Sequence, residues 1–234
     1  MTRTPLEEGI LDEIRPKEDG TRHILDVAKR LVSRIEESGQ ASPMLVGSIA
    51  RGTWIHGDRD LDIFLLFDPD LPREDLEEKG LGLARKIALA EGANFREKYA
   101  EHPYINASIN GLSVDLVPCY RVESASCIKS AVDRTPFHTQ YIRERIQPFV
   151  DEVLLLQQFA KAGGIYGSDQ MTEGFAGYLC ELLILHYMGF RPLLEAASQW
   201  RPGVLIDIED HRTRTFPEPL VVIDPVDPGR NVSA

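Results

Sequence analysis

The sequence predicts an α+β fold, a mixed sheet with helices on one face followed by a mainly helical second domain. Two observations predict the sheet. Apolar runs occupy residues 44–46 and 61–67, and Leu112, Val114 and Leu116 alternate with Ser113 and Asp115. A third predicts the helical part: beyond Tyr120, three successive stretches carry helical patterns.

In chain order, residues 4–14 make a short helix, with Thr4 as N-cap, Pro5 at the first helical position and glutamates in the first turn. Residues 21–37 make a longer one, since Ile24, Val27, Ala28, Leu31 and Ile35 recur at helical spacing and Gly39 follows as a stop. The strand at 44–46 ends at Gly47-Ser48, where the chain turns into a short helical segment. The strand at 61–67 is entered through Asp60 and Asp62. Asp68-Pro69-Asp70 then breaks the chain, and residues 73–90 form another amphipathic helix. Residues 93–120 supply several strands, among them 104–109 and the strand of Asp115, with Asn110-Gly111 as a hairpin turn. Residues 136–146, 148–163 and 174–187 read as helices, the last apolar enough for a core. The domain boundary is expected near residues 140–147, giving domains of residues 1–143 and 144–234. Strand-like stretches at 204–208 and 220–223 precede a turn-rich end at 224–231.

At 234 residues, with 43% hydrophobic and 27% charged residues, the chain has the composition of an ordinary globular protein. It shows no transmembrane window and no signal-peptide core, so a cytoplasmic protein with no membrane partner is expected. Cys119, Cys127 and Cys180 have no paired spacing and are expected as buried reduced thiols rather than disulfide or zinc ligands. The net charge of −11 argues against a chain-wide basic surface for nucleic acid, leaving a local patch or residues outside this chain to meet RNA.

The chemistry is concentrated between Gly47 and Asp115. Asp60 and Asp62, at i and i+2 on a strand, share one face, and paired carboxylates on a rigid edge suit a hard divalent cation. Gly47 lets the backbone approach a ligand, Ser48 offers a hydroxyl and an N–H, and Arg51 lies about one helical turn beyond, within reach of the same anion. A phosphate cradle beside a carboxylate pair points to nucleotide chemistry, and Asp115 can supply a third carboxylate on the same side.

The series GS, DLDIFLLF and VDLVPCY resembles the nucleotidyltransferase superfamily of the DNA polymerase β type, and KSAVDRTPFH, GIYG, GFAGYLCELLILHY and VVIDPVDPGRNV resemble the archaeal, class I CCA-adding enzymes. The resemblance implies a polymerase β-like sheet with Asp60, Asp62 and Asp115 holding two Mg²⁺ ions. The implied activity is template-independent addition of C, C and A to the 3′ acceptor end of tRNA from CTP and ATP. It further implies that Ser48 and Arg51 grip the triphosphate, that His138 contacts the nucleotide, that Tyr166 contacts the triphosphate and that Arg230 helps to recognise the base. One departure stands out: Gln157 occupies the place of a family lysine, and Lys161, one turn further along, is the candidate substitute. His56 and His186 are expected to be structural. The family continues beyond Ala234, so the sequence is expected to be an N-terminal fragment with exposed apolar surface, weak tRNA affinity and a tendency to self-associate, as a homodimer for instance. Competing readings keep the chemistry but change the acceptor, as in oligoadenylate synthetases, poly(A) polymerases or antibiotic nucleotidyltransferases, or make the chain a non-catalytic nucleotide- or RNA-binding remnant.

Overall fold

A computed structural model describes residues 3–99, 101–167, 172 and 174–233. They form two compact units that do not follow chain order. One comprises Pro16–Arg51 and His56–Thr139, and the other Met1–Arg15, Gly52–Ile55 and Gln140–Ala234.

The first unit is built on a five-stranded sheet. Its helices are α2 (Glu18–Ser38), the single turn α3 (Gly47–Arg51) and α4 (Arg73–Ala90), and its strands are β1 (Ser42–Val46), β2 (Asp60–Phe67), β3 (Asn94–Tyr99), β4 (Pro103–Ile109) and β5 (Leu112–Tyr120). The strand order is β1-β2-β5-β4-β3. β2 and β5 run parallel, and the other neighbours run antiparallel. Alternation sorts the side chains. Leu61, Ile63 and Leu65 of β2, Ile105 and Ala107 of β4, and Val114 and Leu116 of β5 fall on one buried face, which α2 and α4 cover. Gly80 permits a close approach of α4, since a Cβ there would lie 2.5 Å from the ring carbons of Pro118. The opposite face is polar at the Asp60 end and apolar further along, where Val46, Phe64 and Cys119 cluster with Met44, Leu66, Val117 and Val132. Asp133 ties down the segment after β5: its buried carboxylate accepts hydrogen bonds from the backbone N–H groups of Tyr120 (2.9 Å), Lys129 (2.9 Å) and Ser130 (2.8 Å). Helix α2 begins three residues earlier than its apolar pattern, because Glu18 and Asp19 occupy a first turn that favours acidic side chains.

The second unit contains α1 (Pro5–Ile14), α6 (Val150–Ala162), α7 (Gly177–Tyr187), α8 (Phe190–Ala197) and a small sheet of β6 (Val204–Ile206), β7 (Leu220–Asp224) and β8 (Asp227–Asn231). Helix α5 (Thr135–Arg143) spans the point where the chain passes from one unit to the other. Thr4 caps α1 through a reciprocal box with Glu7. Leu11 and Ile14 of α1 join Leu154, Leu155, Leu183 and Ile184 in the core. Glu7 accepts both a 2.7 Å and a 2.8 Å bond from Arg191, and Arg15 donates to both carboxylate oxygens of Asp151.

Several elements differ from the sequence reading. Helix α8 has no counterpart in the sequence reading; Pro192 lies in its first turn, where the missing N–H costs nothing. The end described as turn-rich contains β8, an edge strand on which Pro228 is tolerated. Helix α7 starts at Gly177 rather than 174, since the backbone of Gly174 and Phe175 instead bonds Gly167 and Ile165. Cys127 is exposed on the turn after β5, unlike buried Cys119 and Cys180. Among the described residues no helix is long and apolar enough to cross a membrane.

Candidate active site

The parallel pairing of β2 with β5 builds the centre of the site. Its register sets Asp62 beside Asp115 and Asp60 beside Ser113. On the other side of β2, Asp62 lies opposite Val46, the last residue of β1, so the chain enters α3 at Gly47 directly against the carboxylate. Gly47 has φ +72°, and a Cβ there would lie 2.1 Å from Asp62 Oδ2. Any side chain at this position would displace Asp62 as well as strain the backbone. Ser48 occupies the first turn of α3 and is half-buried, while Arg51 at its end is buried.

Asp115 is held from its other flank. Asn106 of β4 pairs with Asp115 in the antiparallel register and donates through Nδ2 to Asp115 Oδ1 at 2.6 Å and to Ser113 Oγ at 3.0 Å. The bond fixes which way the carboxylate turns. Sequence reasoning missed Asn106, because an asparagine on a strand carries no signal until the register places it beside an aspartate.

Burial, followed by the like charges of Asp115 and Asp60, pushes the Asp62 carboxyl up to about 6, with the Arg51 guanidinium opposing the rise. Tyr104, raised by burial, also feels Asp115 and Asp62. Among the described residues, no group of three or more His, Cys, Asp or Glu side chains stands in finished metal-holding geometry. The argument for a cation is therefore electrostatic. Asp60 and Asp115, whose charges help to raise the proton affinity of Asp62, complete with it a hard oxygen donor set whose repulsion a divalent cation would relieve, so the three carboxylates fit such an ion.

The remaining nucleotide candidates are distributed between the units. His138 is half-buried on α5, within the sheet unit. Lys161, Tyr166 and Arg230 belong to the other unit. There Tyr166 is fixed by a bridge to Phe175, and the Lys161 ammonium lies 5.2 Å from the centroid of its ring. Gln157 is buried on α6, and both its amide and the Tyr166 hydroxyl approach Gly177 at the start of α7. Arg230 on β8 donates to the buried Asp224 at 2.9 Å, which also accepts from the Tyr178 hydroxyl at 3.0 Å. His56 is exposed at the surface, and His186 packs edge-on against Tyr187.

Residues 25–138 match the family described as "Nucleotidyltransferase domain" and residues 151–234 the family described as "tRNA nucleotidyltransferase, second domain". Nucleotidyltransferases of this kind generally use divalent metal ions. Among curated proteins, the chain is 64% identical over 233 residues to the CCA-adding enzyme of Methanoregula boonei, covering 99% of this chain and 51% of that protein. It is 48% identical over 232 residues to the CCA-adding enzyme of Methanothermobacter thermautotrophicus, covering 96% and 51%. Among solved structures, E. coli MS115-1 CdnC with ATP matches with a TM-score of 0.70 at 20% identity, over 95% of this chain and 81% of that one. The Cid1 poly(U) polymerase bound to Mg 3′-dATP matches with a TM-score of 0.61 at 16% identity, over 78% and 54%. These structural likenesses establish a shared nucleotidyltransferase fold. The chain spans about half the length of the curated relatives it matches.

Proposed function

The chain belongs to the archaeal CCA-adding enzyme family of nucleotidyltransferases, and from that membership we propose that its sheet unit carries the catalytic centre for adding C, C and A to the 3′ end of tRNA in the cytoplasm, from CTP and ATP. The observation that carries the reading is the register that pairs Asp62 with Asp115, with Asp60 on the same face of the sheet. Asp60, Asp62 and Asp115 would hold two Mg²⁺ ions. When bound, these supply charge neutralisation at the triphosphate and make the attacking hydroxyl more acidic.

The chain's own residues position the reactants. The tRNA 3′-hydroxyl oxygen attacks the α-phosphorus of the nucleotide as its proton passes to solvent, the bond from that phosphorus to the bridging oxygen breaks, and pyrophosphate leaves. No side chain of the protein needs to form a covalent bond in this exchange. Asn106 holds Asp115 in one rotamer, and the absent side chain of Gly47 leaves Asp62 its place. Arg51 balances part of the carboxylate charge, and with Ser48 it is assigned to the triphosphate. The roles of His138, Lys161, Tyr166 and Arg230 toward the nucleotide enter this proposal through the family resemblance.

The test is incubation with tRNA lacking its CCA end, Mg²⁺ and labelled CTP or ATP, beside Asp62→Asn and Asp115→Asn variants checked for folding. The expected outcome is incorporation of C, C and A that either substitution abolishes. Near-normal turnover in either variant would overturn the assignment.

A further inference from the structure

The polar face of the sheet continues past the carboxylates. Arg96 of β3 pairs with Asn106, so one row of side chains runs Asp62, Asp115, Asn106, Arg96 across four strands. The next row runs Asp60, Ser113, Ser108, Asn94, and on the other flank Lys98 pairs with Tyr104. Directly paired residues project to the same face of a sheet, so all of these share the face of the catalytic candidates. Two strand spacings set Arg96 about 10 Å from the strand of Asp115.

The charges on β3 are sorted by face. Glu97 projects to the opposite side, where Arg85 (2.5 Å) and the Tyr99 hydroxyl (2.8 Å) donate to it. Arg96 is exposed, Lys98 is half-buried, and neither side chain is hydrogen-bonded or ion-paired to a described residue. In a chain of net charge −11 whose other arginines are so often paired to carboxylates, two unengaged cations side by side on this face stand out. Asn94, Phe95, Arg96, Asn106 and Ser108 line an open cavity of about 240 Å³ beside them.

We propose that this face is the track for the acceptor strand: Arg96 and Lys98 hold successive phosphates of the single-stranded RNA 3′ end, and Tyr104 offers its ring to a terminal base beside Asp115. Residues two apart on a strand are about 7 Å apart, which suits neighbouring phosphates of an extended strand. Cations tracking the backbone with an aromatic ring for a base are the general means by which single strands are held without reading sequence. The proposal rests on the nucleotidyltransferase reading above and assigns residues to the RNA strand which that reading names.

The experiment measures binding without chemistry. Fluorescence anisotropy in EDTA follows a labelled RNA minihelix with a single-stranded 3′ end, over a series of salt concentrations, for the chain and for R96E/K98E. Binding of the unchanged chain at low salt is expected to fall as salt rises. Losing two single-strand phosphate contacts should flatten the log–log salt slope by about 1.4 and weaken binding about 25-fold near 0.1 M salt. R96K/K98R should restore the slope. CTP affinity, measured separately with Mg²⁺, should be unchanged by R96E/K98E, which separates an RNA backbone from a triphosphate as the phosphate source. Should the double reversal fail to fold, R96A and K98A report the same loss singly, each with about half the slope change. Unchanged RNA affinity, absence of RNA binding at any salt, or a parallel loss of CTP affinity would overturn the proposal. RNA held by these cations in a chain that adds no nucleotide would instead refute the catalytic reading alone.

Discussion

A carboxyl held at about 6 opposes folding of the sheet at neutral pH. Because the folded state raises the proton affinity of Asp62, the folded form binds more protons than the unfolded chain between about 4 and 6, and stability falls as pH rises through that window. Asp62→Asn removes the charge. It should therefore raise the melting temperature at pH 8 in EDTA, by roughly 2–4 °C for each kcal/mol relieved, and lose that advantage near pH 4. An equal effect at both pH values would show that the buried charge of Asp62 is not what Asn relieves. Asn106 makes the complementary case. Asn106→Ala should leave the fold intact but lower turnover roughly 10–100-fold, the usual consequence of freeing a ligand from its orienting partner. Calorimetry with CTP would separate a loss of binding from a loss of rate. The aspartates were legible in the sequence because D-x-D spacing on a strand places both on one face whatever the fold around them. Asn106 was not legible, since its role exists only through the β4–β5 register.

Among the elements, those with strong local signals were read nearly residue for residue. Helix α4 follows its apolar period from Arg73 to Ala90, and the β4–β5 hairpin closes at Asn110-Gly111, both with positive φ as a tight turn of this type requires. The failures were elements defined by distant partners. Strand β8 exists because β7 offers an edge, and the destination of α1 is visible only in Glu7, Leu11 and Arg15 meeting residues far along the chain. That docking predicts an acid sensitivity. Hydrogen bonds from Arg191 hold the Glu7 carboxyl down at about 2, so its stabilisation is full above the ordinary carboxylate range and disappears as pH falls from about 4.5 toward 2. Thermal melts of Glu7→Gln should show a deficit at pH 7 that shrinks toward zero near pH 2. A deficit independent of pH would assign the loss to the α1 cap instead. Gly80→Leu is expected to lift α4 off Pro118 and to destabilise the sheet unit, read as a lower denaturant midpoint.

At the scale of the molecule, a charge of −11 repels an RNA backbone from most of the surface, so the RNA binding proposed above has to rest on a local feature such as the β3 edge. That charge predicts weak tRNA affinity at physiological salt beside Mg²⁺-dependent binding of CTP; parallel titrations of both ligands would decide. Tight tRNA binding at that salt would mean that these residues suffice for the acceptor. The discontinuous second unit also has a meaning in time. The Glu7–Arg191 contact joins residues 184 positions apart, which at about 5–20 residues per second separates their synthesis by roughly 10–40 s. A nascent chain therefore displays the apolar stripe of α1, with Leu11 and Ile14, long before α6 and α8 leave the ribosome to cover it. The sheet unit, complete once Thr139 has emerged, can fold during that wait without α1.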